Sequence, residues 1–176
     1  MNEGLYRGKR KYNGEWVEGY YFCKRTRLAG SKEFISEKSI ITPGIEEIRG
    51  AYGESSVLIE YEVIPESVEP CSGLTDSNGK KIFKGDIIRY ADECDYRCYL
   101  ESLECPEEYE GVDFSDLWTF DEVVYGIAIG YPAFDLNSHD WEENGLSHLS
   151  ESGQYFYEVI GNIHDNPELL KGGAEG

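Results

Sequence analysis

The chain has 176 residues, enough for one domain or two small ones with a proper core, and its 16 Lys/Arg against 35 Asp/Glu give a formal net charge of −19. The imbalance is one-sided: residues 1–60 hold 10 Lys/Arg against 9 Asp/Glu, whereas residues 61–176 hold 6 against 26. A surface that tracks phosphates needs clustered cations, so the C-terminal two-thirds cannot supply one, and direct nucleic-acid binding is not expected.

From the N-terminus, GLYRGKRKYNGEWVEGYYF reads as a β-hairpin turning at Asn13–Gly14, since a type I′ turn needs positive φ at both central positions. Arg7, Lys9, Arg10 and Lys11 cluster on its first strand, and Trp16 opens the second. Two readings stand for this cluster. It is a solvated strand face, or it is a phosphate-contacting strand beside which Trp16 or a tyrosine stacks on a base. The opening residues lack the apolar core of a signal peptide, and no apolar run approaches the roughly 20 residues that span a bilayer. The expectation is a soluble, cytoplasmic protein.

Residues 23–56 continue as short extended pieces around Phe34 and Ser39, broken at Thr42–Pro43–Gly44, with a turn-rich junction from Gly50 to Ser56. Ser56 to Ile64 is a strand closed by Pro65, which cannot donate into a ladder. The domain boundary is placed here, with an N-terminal β unit over 1–55 and the main domain over 56–176.

Ser72 to Tyr90 is dense in turn chemistry. Asp76-Ser77-Asn78-Gly79 is a turn whose Asp side chain accepts from backbone amides while Asn and Gly tolerate left-handed φ. Lys81-Ile82-Phe83 is a strand, Lys84-Gly85-Asp86 the next tight turn, and Ile87 to Tyr90 a strand buried on both faces. Strand, tight turn and strand at this spacing suit a small SH3-like barrel. Residues 91–122 read as an acidic, partly folded insertion with no clean period, in which helix is left open. It carries Cys94, Cys98 and Cys105, whose gaps overlap zinc-ligand spacing but lack paired CxxC knuckles. With Cys23 and Cys71 they make an odd total of 5, so reduced, unmetallated thiols are expected. Val123 to Ile129 is a core strand, Tyr131 leads into an irregular segment through Trp141, and Gln154 to Ile163 is the last strand. At the end, Asn166 caps a helical turn, Pro167 takes its first position, Glu168 suits its positive end, Leu169 and Leu170 pack down, and Gly172–Gly173 stop it.

The early NG hairpin (Asn13-Gly14-Glu15-Trp16), the segment Gly73 to Tyr90 and the ending Val159 to Leu170 together resemble the YopX family of phage and prophage proteins. The resemblance spans the chain discontinuously. It departs at Glu69-Pro70-Cys71, where the family often has Gly-Gln-Tyr or Phe, and across the acidic insertion. What it implies is a phage or prophage product, an SH3-like barrel in the main domain and self-association; it brings no catalytic residue set. Its motif residues Gly73, Asp76, Asn78, Gly79, Gly85, Asp86, Gly161, Asn162, Asp165, Asn166 and Pro167 read as turn and cap residues.

Neither P-loop, GxGxxG, HExxH nor GxSxG occurs, so no cofactor, no metal and no catalytic residue is expected. The weakest of three function classes is an enzyme using His139, Asp140, His148 and His164, which lack a recognisable nucleophile. The carboxylate pairs Glu107-Glu108 and Glu142-Glu143 read as solvated loop charge. The leading class is a non-catalytic binding protein acting on a host or phage protein of basic character. The second is a binder of a small nucleotide through Arg7, Lys9, Arg10, Lys11 and Trp16.

Overall fold

The computed structural model describes residues 4–30, 32–50, 53–128, 131–137 and 144–170. The fold is mainly β, and the chain divides into two compact units, Met1–Cys71 and Ser72–Gly176. In the first unit, β1 (Leu5–Lys9), β2 (Trp16–Arg27), β3 (Phe34–Gly50) and β4 (Gly53–Glu62) form an antiparallel meander. The boundary expected near residue 56 falls inside β4, whose pairing with β3 runs from Glu62 to Gly53. β5 (Glu69–Thr75) begins in this unit, pairing Pro70 and Glu69 with Tyr6 and Arg7 of β1, and ends in the second.

Two local expectations change for physical reasons. The first hairpin turns over four residues, Lys11 to Gly14, because the Arg10 amide donates to the Glu15 carbonyl at 2.8 Å and the Gly14 amide to the Arg10 carbonyl at 2.8 Å. The Asn13 side chain widens the loop by bracketing Glu15, accepting from its amide at 3.2 Å and donating to its carboxylate at 2.7 Å. The expected break at Thr42–Pro43–Gly44 is instead a slip of register between Ile41 and Gly44 inside one 17-residue strand. Pro43, which has no amide to donate, sits at that irregularity.

The first unit's core is narrow. Ile40, Ile41 and Val63 are buried, and Gly8 lies so close that a Cβ there would stand 3.0 Å from Ile41 and 3.3 Å from Val63. Beyond this centre, the β3–β4 arm carries Ile45 and Leu58 directly opposite each other and exposed, with Val57 also exposed.

In the second unit, β6 (Lys81–Phe83) neighbours β5, and β7 (Asp86–Asp92), β8 (Thr119–Ala128), β9 (Tyr131–Leu136) and β10 (Tyr155–Asn162) form an antiparallel sheet in the order β10-β7-β8-β9. Its core joins Ile82, Ile88, Val123, Leu136, Tyr157 and Val159 to Leu146 and Leu149 of a short helix. That helix is α2 (Gly145–Ser152), and a longer one, α1 (Glu93–Glu104), precedes it in the chain. Among the described residues the sheet does not close into the expected barrel. The connections explain why: α1 intervenes between β7 and β8, and α2 between β9 and β10, where a small barrel would use tight turns.

Tyr131–Leu136 is a strand where an irregular segment was expected to begin, and the acidic stretch read over 91–122 overlaps β8 from Thr119 onward. It is also an ordered helix at its start: the Asp92 carboxylate accepts from the Cys94 amide at 2.8 Å, and Glu93 and Asp95 occupy the first turn, where the helix dipole favours negative charge. Ile129, the segment His139 to Glu143 and Gly172–Gly173 lie outside the described residues.

Candidate functional site

The strand that carries the basic cluster distributes it between two environments. Arg7 is buried, its Nε donating to the Glu69 carboxylate at 2.6 Å, and its guanidinium lies 4.7 Å from the Trp16 ring centre. Lys9 reaches the same ring at 5.4 Å. Arg7 is therefore not part of a solvated face, because β5 brings a buried carboxylate against it.

Arg10 and Lys11 belong elsewhere, to a hollow of about 750 Å³ bounded by the first hairpin loop, Lys38 of β3 and Glu60 to Glu62 of β4. The Arg10 guanidinium carbon stands over the Tyr61 ring, 3.6 Å from its centre. Lys11 and Lys38 grip opposite oxygens of Glu62 at 2.8 and 2.6 Å, which holds that carboxyl down to about 2. Tyr12, at the rim, is 98 % exposed. Trp16 does not line this hollow, so the five expected ligand residues are separated as Arg7, Lys9 and Trp16 on one side and Arg10 and Lys11 on the other. Lys38 and Tyr61 were missed because their proximity comes from the β3–β4 register, which local sequence does not encode.

The second unit offers a different chemistry. Residues 92–117 contain 10 Asp/Glu and a single cation, Arg97, which pairs at 3.1 Å with Glu93 one turn earlier on α1. Of those carboxylates all but Glu93 are exposed, α1 buries no residue, and Leu100, Leu103 and Val112 are exposed among them. Aromatic packing keeps this acidic excursion ordered. Tyr96 stacks on Phe156 of β10 at 4.0 Å, Trp118 closes on both rings, and Arg89 covers Trp118 at 4.3 Å. Phe114 meets Tyr99 and Tyr109, tying the loop after α1 back to the helix. The Tyr109 hydroxyl donates to Glu101 at 2.5 Å, and the carboxylate beside it pushes the phenol up to about 12. Asp113 is lowered by the Ser115 amide, which donates to it at 2.9 Å.

The turn and cap residues form a connected frame. Asp76, buried, accepts from the amides of Asn78 (3.0 Å), Lys80 (2.8 Å) and Val159 (3.0 Å), so one carboxylate shapes its own turn and fixes it to β10. Asn78 reaches Glu158 at 3.2 Å, and Gly73, Gly79 and Gly85 all have positive φ. Gly85 donates to the Val123 carbonyl and accepts from the Ile163 amide, and the fully buried Asp86 accepts from the Phe83 amide at 2.8 Å. Asn162 accepts from the amides of His164 and Asp165 and donates to Asp165. A Cβ on Gly161 would stand 2.7 Å from the Asn166 side chain, just ahead of the 3₁₀ turn that Pro167 opens.

His148 lies on α2 against Tyr155, and His164 lies in the turn after β10; His139 and Asp140 are outside the described residues. Among the described residues no three His, Cys, Asp or Glu side chains converge as a metal site would require, and no helix is long and apolar enough to cross a membrane. Cys94 and Cys98 lie on α1 and Cys105 at its end, all as free thiols.

Comparison with known proteins agrees with this architecture. A crystal structure of protein EF1440 from Enterococcus faecalis is similar over 94 % of this chain and 96 % of its own, with a TM-score of 0.50 and 21 % identity, a likeness of fold alone. No curated protein matches the chain. The family described as YopX protein matches residues 5–171, and the chain therefore belongs to the YopX family.

Proposed function

We propose that this YopX-family chain is a non-catalytic binding protein, made by a phage or prophage and acting in the cytoplasm of the bacterial host, whose 92–117 excursion docks a basic partner protein. The observation that carries the reading is the pairing of charge with order. Ten carboxylates against one cation would by themselves make a solvated tail, but here they ride on a capped helix and an aromatic-stapled loop. Such a surface steers a basic partner and speeds encounter at low salt, while exposed Leu100, Leu103 and Val112 supply the apolar contact that holds it. Self-association is part of the proposal, supported by the exposed apolar side chains of the β3–β4 arm and by the place of β4 at the end of the strand order among the described residues.

Native mass spectrometry of the protein recovered from host lysate tests the reading. A basic protein bound to the native chain and absent from a Glu104→Gln, Glu107→Gln, Glu108→Gln, Glu110→Gln variant is the expected result. A chain that stays bare, or one that captures the same protein after neutralisation, rejects it. Light scattering at micromolar concentration tests self-association, and a mass of 20.0 kDa would reject that part.

A further inference from the structure

The hollow of the first unit has no part in the acidic docking surface, and its residues carry a chemistry of their own. We propose that it is a binding site for a free mononucleotide, with the phosphate held by Lys11 and Lys38 and the base stacked on Tyr12 beside the Arg10–Tyr61 pair. In a chain of net charge −19, three cations face one cavity of about 750 Å³, within the size range of small-molecule sites. Glu62 positions two of them, because its two oxygens fix Lys11 and Lys38 at 2.8 and 2.6 Å. An ammonium has three donors, so each lysine that gives one to Glu62 keeps two for a phosphate. The two ion pairs are already formed in the chain alone, so the clamp is set before any ligand arrives.

The aromatic side of the hollow argues for a base rather than a bare anion. The Arg10 guanidinium carbon stands 3.6 Å over the Tyr61 ring centre, its Nη1 pairs with Glu15 at 3.3 Å, and its Nε is buried without a hydrogen-bond partner. Tyr12 stands at the rim with its whole ring open to solvent, at 98 % exposure, so a base can stack on it without moving any packed group. A polymer is disfavoured by the same charge that isolates the cations: the site has three Lys/Arg and two Glu, too few net charges to track a phosphate backbone.

The test is calorimetric titration of the full chain with adenosine and guanosine monophosphates, with inorganic phosphate, and with a short single-stranded oligonucleotide, repeated for Lys11→Ala/Lys38→Ala and for Tyr12→Ala. The nucleotides are expected to bind and phosphate alone to bind at least fivefold more weakly. The double lysine variant should lose at least tenfold in affinity. Tyr12→Ala, on a side chain that the fold does not need, should lose roughly fivefold or more. No heat with either nucleotide at millimolar concentration overturns the proposal. So does phosphate binding as tightly as a nucleotide, unchanged affinity in the variants, or tighter binding of the oligonucleotide than of the mononucleotide. Because the acidic excursion is untouched by these variants, its partner binding should be unchanged in them.

Discussion

Replacing Asp76 by alanine strips one carboxylate from three amides, and the structure says how the cost divides. Asn78 and Lys80 are exposed residues of the turn itself, so water can take over their N–H groups and each loss is about 0.5 kcal/mol. The Val159 amide differs: it lies on buried β10, and its bond to Asp76 is charge-assisted, so leaving it without an acceptor costs about 2–3 kcal/mol. The sum is about 3–4 kcal/mol. The backbone bridge between Ser77 and Tyr157, at 2.9 Å, survives the substitution and keeps the turn against β10, so no larger collapse is expected. Asp76→Asn keeps one acceptor oxygen for the turn but faces Val159 with an amide N–H, and should cost about 2 kcal/mol. Urea unfolding followed by circular dichroism, fitted for the second unit's transition, measures both. A loss below about 1 kcal/mol for Asp76→Ala would refute the idea that this carboxylate joins the turn to the sheet.

Other substitutions follow the same geometry. Gly85→Val places a β-branched residue at φ 75 and should destabilise by about 2–3 kcal/mol in the same assay, whereas a change within about 0.5 kcal/mol would show that the turn relaxes. The Glu62 carboxyl, held down to about 2 by Lys11 and Lys38, stabilises the fold above its ordinary value of 4.5 and loses that contribution as pH falls from there toward 2. Carbon-detected NMR titration should place its midpoint near 2, and in Lys11→Met/Lys38→Met the midpoint should return toward 4.5. The Tyr109 phenol, raised to about 12 by Glu101, contributes below its ordinary 10 and loses that contribution as pH rises to 12. Glu101→Gln should lower its ring-carbon titration toward 10, and an unmoved midpoint would contradict the assigned cause.

Local chemistry was the legible part of the fold. The strands at Lys81–Phe83 and Tyr155–Asn162, the Asp76 turn and the 3₁₀ turn that opens at Pro167 are written in short runs of residues whose backbone preferences leave few alternatives. Residues 92–104 were harder, because α1 buries nothing: Tyr96 meets an aromatic cluster rather than a core while Leu100 and Leu103 stay exposed, so no clean helical period appears. Pro43 misled for the opposite reason. A proline in a strand signals a break, but a bulge accommodates it without ending the pairing.

The candidate sites divide in the same way. The acidity of residues 92–117 is plain in the sequence, as is the cation cluster around Arg7 to Lys11. What the cations touch is not, because Glu69, Tyr61 and Glu62 meet them only through pairings 51 to 62 residues away in the chain.

The central claim is that the acidic excursion is the surface by which the chain meets a basic protein. Hydrogen–deuterium exchange of the chain alone and in complex with the protein it captures from host lysate tests this most directly. The account predicts slowed exchange across residues 92–117, centred on α1 and the Leu100, Leu103 and Val112 side, and weakening of the complex as salt is raised. Protection confined to residues 1–71, with 92–117 exchanging as in the free chain, would contradict it.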